Sequence, residues 1–161
     1  MGALRKVQTP SSMDAAGRAA DGGEIVSYQA TSAVNQALEA VIGLMNGTQP
    51  FATVTRGALP TGPGIVAEIG PSFPSERFMT KNTVIPLDVT INAKNHDLQA
   101  LGDALNKIHS ALTGMLIYPE EPHWQIADIR TSSFPQIIGR EDNNDWIMAS
   151  ALTVEIFLKG E

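Results

Sequence analysis

Apolar residues spaced three and four positions apart predict two helices. The first series lies between Thr31 and Asn46 and places its apolar side chains on one helical face. Gly47 stands where a left-handed residue would end this helix. The second series begins near Asn95, which can cap it, and closes at Gly114. Its apolar face consists of Leu98, Leu101, Leu105, Ile108 and Leu112.

Alternation of apolar and polar residues predicts strands. The clearest example starts at Thr83, after a shorter strand over Ile65–Ile69. Pro86 lies within the longer strand and cannot donate a backbone hydrogen bond, which indicates an edge or a bulge there. Residues 124–132 and 146–158 are rich in Trp, Ile, Val, Thr and Phe, and we expect them to form an antiparallel hairpin.

Long connections separate these strands. One covers Pro71–Asn82 and contains Phe73, Phe78 and Met79, and another covers Phe134–Asp145 and is rich in turn residues. Aromatic side chains in a loop either fold back on the core or bury against a partner, and the sequence leaves both options open.

The predicted order is helix, strand, strand, helix, strand, strand. This order is typical of an α+β two-layer sandwich, a mainly antiparallel four-stranded sheet with two main helices over one face. A chain of 161 residues fits a single domain, which we place over residues 25–161. Residues 1–24 hold few apolar side chains and are predicted to be a flexible N-terminal arm, either functional or simply disordered.

Composition excludes several classes of protein. Seventeen acidic and eleven basic residues give a formal charge of -6, and the basic residues stand singly except for Arg5-Lys6. A protein that grips nucleic acid needs a basic stripe, but an acidic surface suits a channel through which DNA slides. There are no cysteines, no secretory signal at the start and no apolar run of about 20 residues that could span a membrane. We therefore expect a cytosolic chain at synthesis.

The sequence carries no recognisable motif for catalysis or metal binding. His96 and His109 are too far apart in helical phase to share a metal, so we expect solvated or partly buried histidines. The glycines of Gly57–Gly64 form no phosphate-binding pattern. Glu120-Glu121 and Glu141-Asp142 lie in turn-like sequence, which favours surface charge. We predict no enzyme activity, no catalytic residues, no metal and no cofactor.

Several runs in the second half of the chain resemble one family. They are Leu87–Leu101, Trp124–Ile126, Thr131–Pro135 and Ile138–Trp146, and the resemblance extends over about residues 30–158. The family consists of tailed-phage minor capsid proteins from the head-tail joining gene cluster, which are similar to tail terminators. The resemblance implies a compact α+β fold and a virion protein at the junction of tail and neck.

Tail terminators form a six-membered ring that caps the tail tube, so the resemblance implies three kinds of partner. These are further copies of the chain in a hexameric ring, the tail tube protein and the head-connector or stopper protein. DNA would only pass through the lumen. The candidate contact residues lie in the two long connections and are Phe73, Arg77, Phe78, Met79, Arg140 and Glu141. In the local alternative, the aromatic side chains complete the core and Arg140 pairs with Glu141 or Asp142.

Other functions remain open at this point. A head-side stopper or adaptor that holds packaged DNA is the nearest alternative. A small-molecule-binding or catalytic α+β domain is more distant, because no convergent cluster of titratable residues is visible. A prophage remnant with the same fold is a third possibility.

Overall fold

The computed structural model describes residues 22–70 and 84–159, and this part of the chain contains two helices and six strands. The helices are α1 (Gly22–Asn46) and α2 (Leu98–Thr113). The strands are β1 (Val54–Thr55), β2 (Gly64–Ile69), β3 (Val84–Asn95), β4 (Glu120–Glu121), β5 (Trp124–Arg140) and β6 (Trp146–Leu158).

The strands form one mixed sheet, curled into a half-barrel, in the order β1-β2-β3-β6-β5-β4. β1 pairs with β2 in parallel, and the other neighbours are antiparallel. The predicted four-stranded sheet with the order α-β-β-α-β-β is therefore wrong, and the described elements run α-β-β-β-α-β-β-β. β1 and β4 have two residues each, which is too short for alternation of apolar and polar positions to appear.

One apolar core lies between the two helices and one face of the sheet. Leu87 of β3 pairs with Val154 of β6, and both side chains are buried in that core. The paired residues on either side repeat the pattern, since side chains on a strand alternate between faces. The helices contribute their periodic apolar residues, among which Leu38 and Leu105 are fully buried.

The helix ends differ in detail from the prediction. Asp97, and not Asn95, caps α2, because its Oδ1 accepts hydrogen bonds from the backbone N of Gln99 (3.1 Å) and Ala100 (3.2 Å). α1 begins at Gly22, which lies before the predicted start and inside the predicted N-terminal arm. The left-handed residue beyond α1 is Gln49 (φ 58°). The rest of that arm, residues 1–21, lies outside the described residues.

Candidate protein–protein interface

Strand β5 has β6 beside it along the whole of one edge, whereas most of its other edge is open. It pairs with β6 from Trp124 to Arg140, but it pairs with β4 only at Trp124 and Gln125. On that same edge, the Ile126 N donates to the Pro119 carbonyl (3.0 Å). Beyond Ile126, no strand of the described residues covers this edge of β5. An open strand edge presents unpaired N–H and C=O groups to any approaching chain.

The far half of β5 replaces much of the connection predicted over Phe134–Asp145. That prediction is wrong for Phe134–Arg140, which continue the strand, and only residues 141–145 make the turn to β6. Asn144 has a φ of 72°, and its N donates to the Glu141 carbonyl (2.9 Å). Asn tolerates this left-handed conformation better than most residues, so it suits a tight reversal.

We name residues Ser132–Arg140 the β5 arm. None of its side chains is buried, whereas Trp124, Ile126 and Ile129 in the first half of the strand are buried. Three large apolar residues of the arm are strongly exposed: Phe134 (75%), Ile137 (50%) and Ile138 (58%). Single exposed apolar residues are common, but three within five residues of a strand with an open edge indicate a contact surface.

The pairing of the β5 arm with β6 is irregular. The register shifts between Thr131 and Ser133, between Ser133 and Gln136, and between Ile137 and Gly139. Extra residues at such bulges increase the local twist and leave backbone groups unpaired. Pro135 also lacks a backbone donor. A strand that is bent by bulges does not pair regularly with a straight strand, so a partner must match the bent shape of this arm.

A buried histidine anchors the base of the arm. His109 of α2 lies within 2.8 Å of the Thr131 Oγ1 through its Nδ1 and within 2.8 Å of the Ser150 Oγ through its Nε2. Burial lowers the pKa of His109, so the neutral ring donates to one hydroxyl and accepts from the other. The side chain thus joins α2, β5 and β6 just before the arm leaves the core.

At the far end of the arm, Arg140 and Glu141 make separate contacts. The Arg140 guanidinium lies over the Trp146 ring, 4.4 Å from its centroid. The Glu141 carboxylate accepts from the Lys94 Nζ at 3.0 and 3.1 Å, and the Lys94 side chain is buried. No carboxylate of the described residues lies within ion-pair distance of Arg140, so its donors remain available.

A second exposed apolar pair lies in the loop of residues 114–119, which we name the α2–β4 loop. Leu116 is 99% exposed and Ile117 is 81% exposed. The hydroxyl of Tyr118 donates to the Leu112 carbonyl (2.7 Å) and fixes the end of this loop against α2. Sequence reasoning missed the pair, since an apolar run of this length carries no periodic signal.

The two exposed patches lie near opposite ends of β5. The α2–β4 loop leads into β4, which pairs with the first residues of β5 at Trp124. Phe134 lies ten residues further along the strand, which corresponds to about 30 Å at roughly 3.3 Å per residue. One chain therefore carries two separate apolar surfaces.

The candidate residues from the sequence divide between described and undescribed parts of the chain. Phe73, Arg77, Phe78 and Met79 lie in residues 71–83, outside the described residues.

Within residues 22–70 and 84–159, no three His, Asp or Glu side chains gather in a way that could hold a metal ion. Neither described helix is long and apolar enough to cross a membrane.

Comparison with known proteins gives weak likenesses. No protein-family model matches the chain, and no curated protein matches it. A chain from the virion of a native gene transfer agent particle is 14% identical with a TM-score of 0.48, over 88% of this chain and 99% of that one. An Akkermansia muciniphila protein, solved without its transmembrane region, is 13% identical with a TM-score of 0.41, over 88% of this chain and 65% of that one. A second protein of that organism is 15% identical with a TM-score of 0.36, over 76% and 50% of the two chains.

Proposed function

We propose that this protein is a non-enzymatic structural subunit of a tailed-phage virion. In this proposal it is a tail terminator, whose ring caps the tail tube and joins it to the head connector. The observation that carries the proposal is the β5 arm, a strand segment with exposed apolar side chains and one open edge, which pairs with β6 along its other edge. The sequence resemblance over about residues 30–158 supplies the phage context.

The polar contacts of the described residues support a structural role. His109 is held between two hydroxyl groups, and Lys94 is held by Glu141. Arg56 donates to both carboxylate oxygens of Glu68, at 3.2 and 3.1 Å, and this hydrogen bonding lowers the pKa of Glu68. Side chains satisfied in pairs stabilise a fold but offer little to a substrate, whereas catalytic groups lie in a cleft within reach of a reacting atom.

A capping ring works through surface complementarity. Each subunit binds its neighbour through two different surfaces, and the interface closes after a fixed number of copies without a free edge. The completed ring then binds the last ring of the tail tube on one side and the head connector on the other. The formal charge of -6 suits a ring around DNA, because like charges keep the DNA from adhering to the lumen.

Deletion of the gene from its parent phage, followed by negative-stain imaging of the lysate, tests this function. We expect filled heads beside unattached tails of abnormal length, because an uncapped tube keeps growing. Free tails of normal length beside emptied heads would instead place the protein on the head side of the neck, as a stopper or adaptor. Intact infectious particles would contradict both assignments.

A further inference from the structure

We infer that neighbouring copies of this chain join head to tail, with the β5 arm of one copy bound to the α2–β4 loop of the next. This inference rests on the proposed ring and specifies the surfaces that form it. The occupant of the β5 arm is therefore a second copy of the same chain. The apolar contact would combine Phe134 and Ile138 of one subunit with Leu116 and Ile117 of its neighbour.

The number and position of the exposed patches favour this arrangement. A twofold dimer buries the same patch on both partners, so one self-complementary surface is enough for it. A cyclic ring needs two different surfaces on each chain, facing in different directions. The β5 arm and the α2–β4 loop supply two such surfaces, since their exposed apolar residues lie near opposite ends of β5.

The charges beside the two patches are complementary. Arg140 closes the β5 arm and makes no ion pair with a described carboxylate. Glu120 and Glu121 directly follow the α2–β4 loop, and both are exposed. Glu120 already accepts from the Lys159 Nζ at 3.3 Å, which leaves Glu121 as the better match for Arg140. Arg binds carboxylates through two parallel hydrogen bonds, so this pair would also set the register of the contact.

The backbone of the arm adds a further means of binding. Along its open edge the β5 arm offers N–H and C=O groups that no described strand uses. A segment without regular pairing of its own, such as the α2–β4 loop, can bond to such an edge. The bulges of the arm restrict which segment fits, so the contact is specific.

Mixing two complementary variants of the purified full chain tests the inference. The arm variant carries Phe134→Ser and Ile138→Ser, and the loop variant carries Leu116→Ser and Ile117→Ser. All four side chains are exposed, so we expect circular dichroism and melting to stay as in the wild type. Analytical ultracentrifugation at millimolar concentration should show rings for the wild type and monomers for each variant alone.

The mixture distinguishes the two kinds of interface. The arm variant keeps an intact loop and the loop variant keeps an intact arm, so the mixture should form heterodimers that grow no further. A loop variant that assembles as the wild type does would overturn the head-to-tail contact, and so would a mixture that remains monomeric. A wild-type chain that stays monomeric at millimolar concentration would also overturn it. The deletion phenotype tests the neck function separately from each of these results.

Charge reversal examines the polar part of the same contact. Arg140→Glu and Glu121→Arg should each weaken association by about fivefold or more, the scale of an exposed ion pair. Both changes in one chain should restore it, because every contact then pairs a reversed arm with a reversed loop. Two losses that simply add in the double variant would refute the pairing of Arg140 with Glu121.

Discussion

The two halves of β5 pair with the same neighbour, β6, but differ in the burial of their side chains. In the first half, Ile129 is 1% exposed beneath the helices, whereas in the β5 arm Ile138 is 58% exposed. Strand pairing therefore does not determine burial. The first half contributes to the core, and the second half keeps its apolar side chains at the surface, where a partner can cover them.

The β5 arm keeps its strand structure without burial because contacts at its far end hold it. Its partner strand β6 is itself flanked by β3, so the arm lies at the margin of a broader sheet. Arg140 stacks on Trp146 of β6, and Glu141 bonds to Lys94 of β3. Because these contacts come from two neighbouring strands, they fix the position of the arm before any partner arrives.

The largest predicted effect comes from making the same substitution, Ile→Ala, in each half of β5 and comparing the free energies of unfolding. Ile129→Ala should lower the free energy of unfolding by about 2–5 kcal/mol, because it leaves a cavity in the core. Ile138→Ala should change that free energy by about 0.5 kcal/mol or less, because the side chain is largely in water. Urea denaturation of the two variants measures both values. Similar losses for the two would mean that the arm is part of the core.

The ion pair between Lys94 and Glu141 lies at the end of the arm. Replacing Glu141 should lower the free energy of unfolding more than replacing Lys94 does. Glu141→Gln leaves the charge of Lys94 buried without its counter-charge and should cost about 1–3 kcal/mol in the free energy of unfolding. Lys94→Met removes the buried charge and leaves a carboxylate that water reaches, so it should cost about 1 kcal/mol or less. Urea midpoints of both variants give the comparison. A larger loss for Lys94→Met would contradict this account.

The sequence predicted the elements whose periodic pattern reflects burial on one face. The alternating residues of β3 and the three-four repeat of α2 belong to the core, so burial and pattern coincide there. Pro86 was expected at an edge or bulge, and β2 pairs with β3 only from Val89 onward, beyond that proline. These features arise from local sequence, and sequence alone was enough to find them.

The missed features depend on contacts between distant residues or on broken patterns. The β5 arm has no alternation of apolar and polar residues, since bulges interrupt it and Pro135 and Gly139 lie within it, so its sequence predicts a connection. The β1 strand exists only through its pairing with β2. Arg140 and Glu141 were singled out as interface candidates, but nothing in the sequence pointed to Trp146 and Lys94 as their neighbours.

His109, at the base of the arm, should make the free energy of unfolding depend on pH. Burial holds the pKa of His109 below its ordinary value of 6.5, so below about pH 6.5 the unfolded chain binds more protons than the folded chain. Stability should therefore fall as the pH drops, by up to about 1.4 kcal/mol per pH unit until the folded pKa is reached.

His109→Gln isolates this contribution, because the amide still bonds to hydroxyl groups but does not titrate. Urea midpoints measured from pH 7.5 to pH 5 should fall less steeply for this variant than for the wild type. Carboxyl groups titrate in both proteins, so the difference between the curves reports His109. Parallel curves would show that protonation of His109 does not govern the joint between α2 and the sheet.

The smallest predicted effect uses two glycines that have open space where a Cβ would be, Gly102 in α2 and Gly139 in the β5 arm. Gly102→Ala should raise the free energy of unfolding by about 0.5–1 kcal/mol, because alanine loses less backbone entropy in a helix. Since α2 packs over the first half of β5, hydrogen exchange should slow for Ile126 and Ile129.

Gly139→Ala is the matched change within the arm. It should slow exchange of the amides of the β5 arm and leave the global urea midpoint nearly unchanged, because an exposed ribbon opens without unfolding the core. If either substitution slowed exchange along the whole of β5, the two halves would open as one cooperative unit. Independent responses would mean that the arm gains order by itself, which is what a surface prepared for a partner requires.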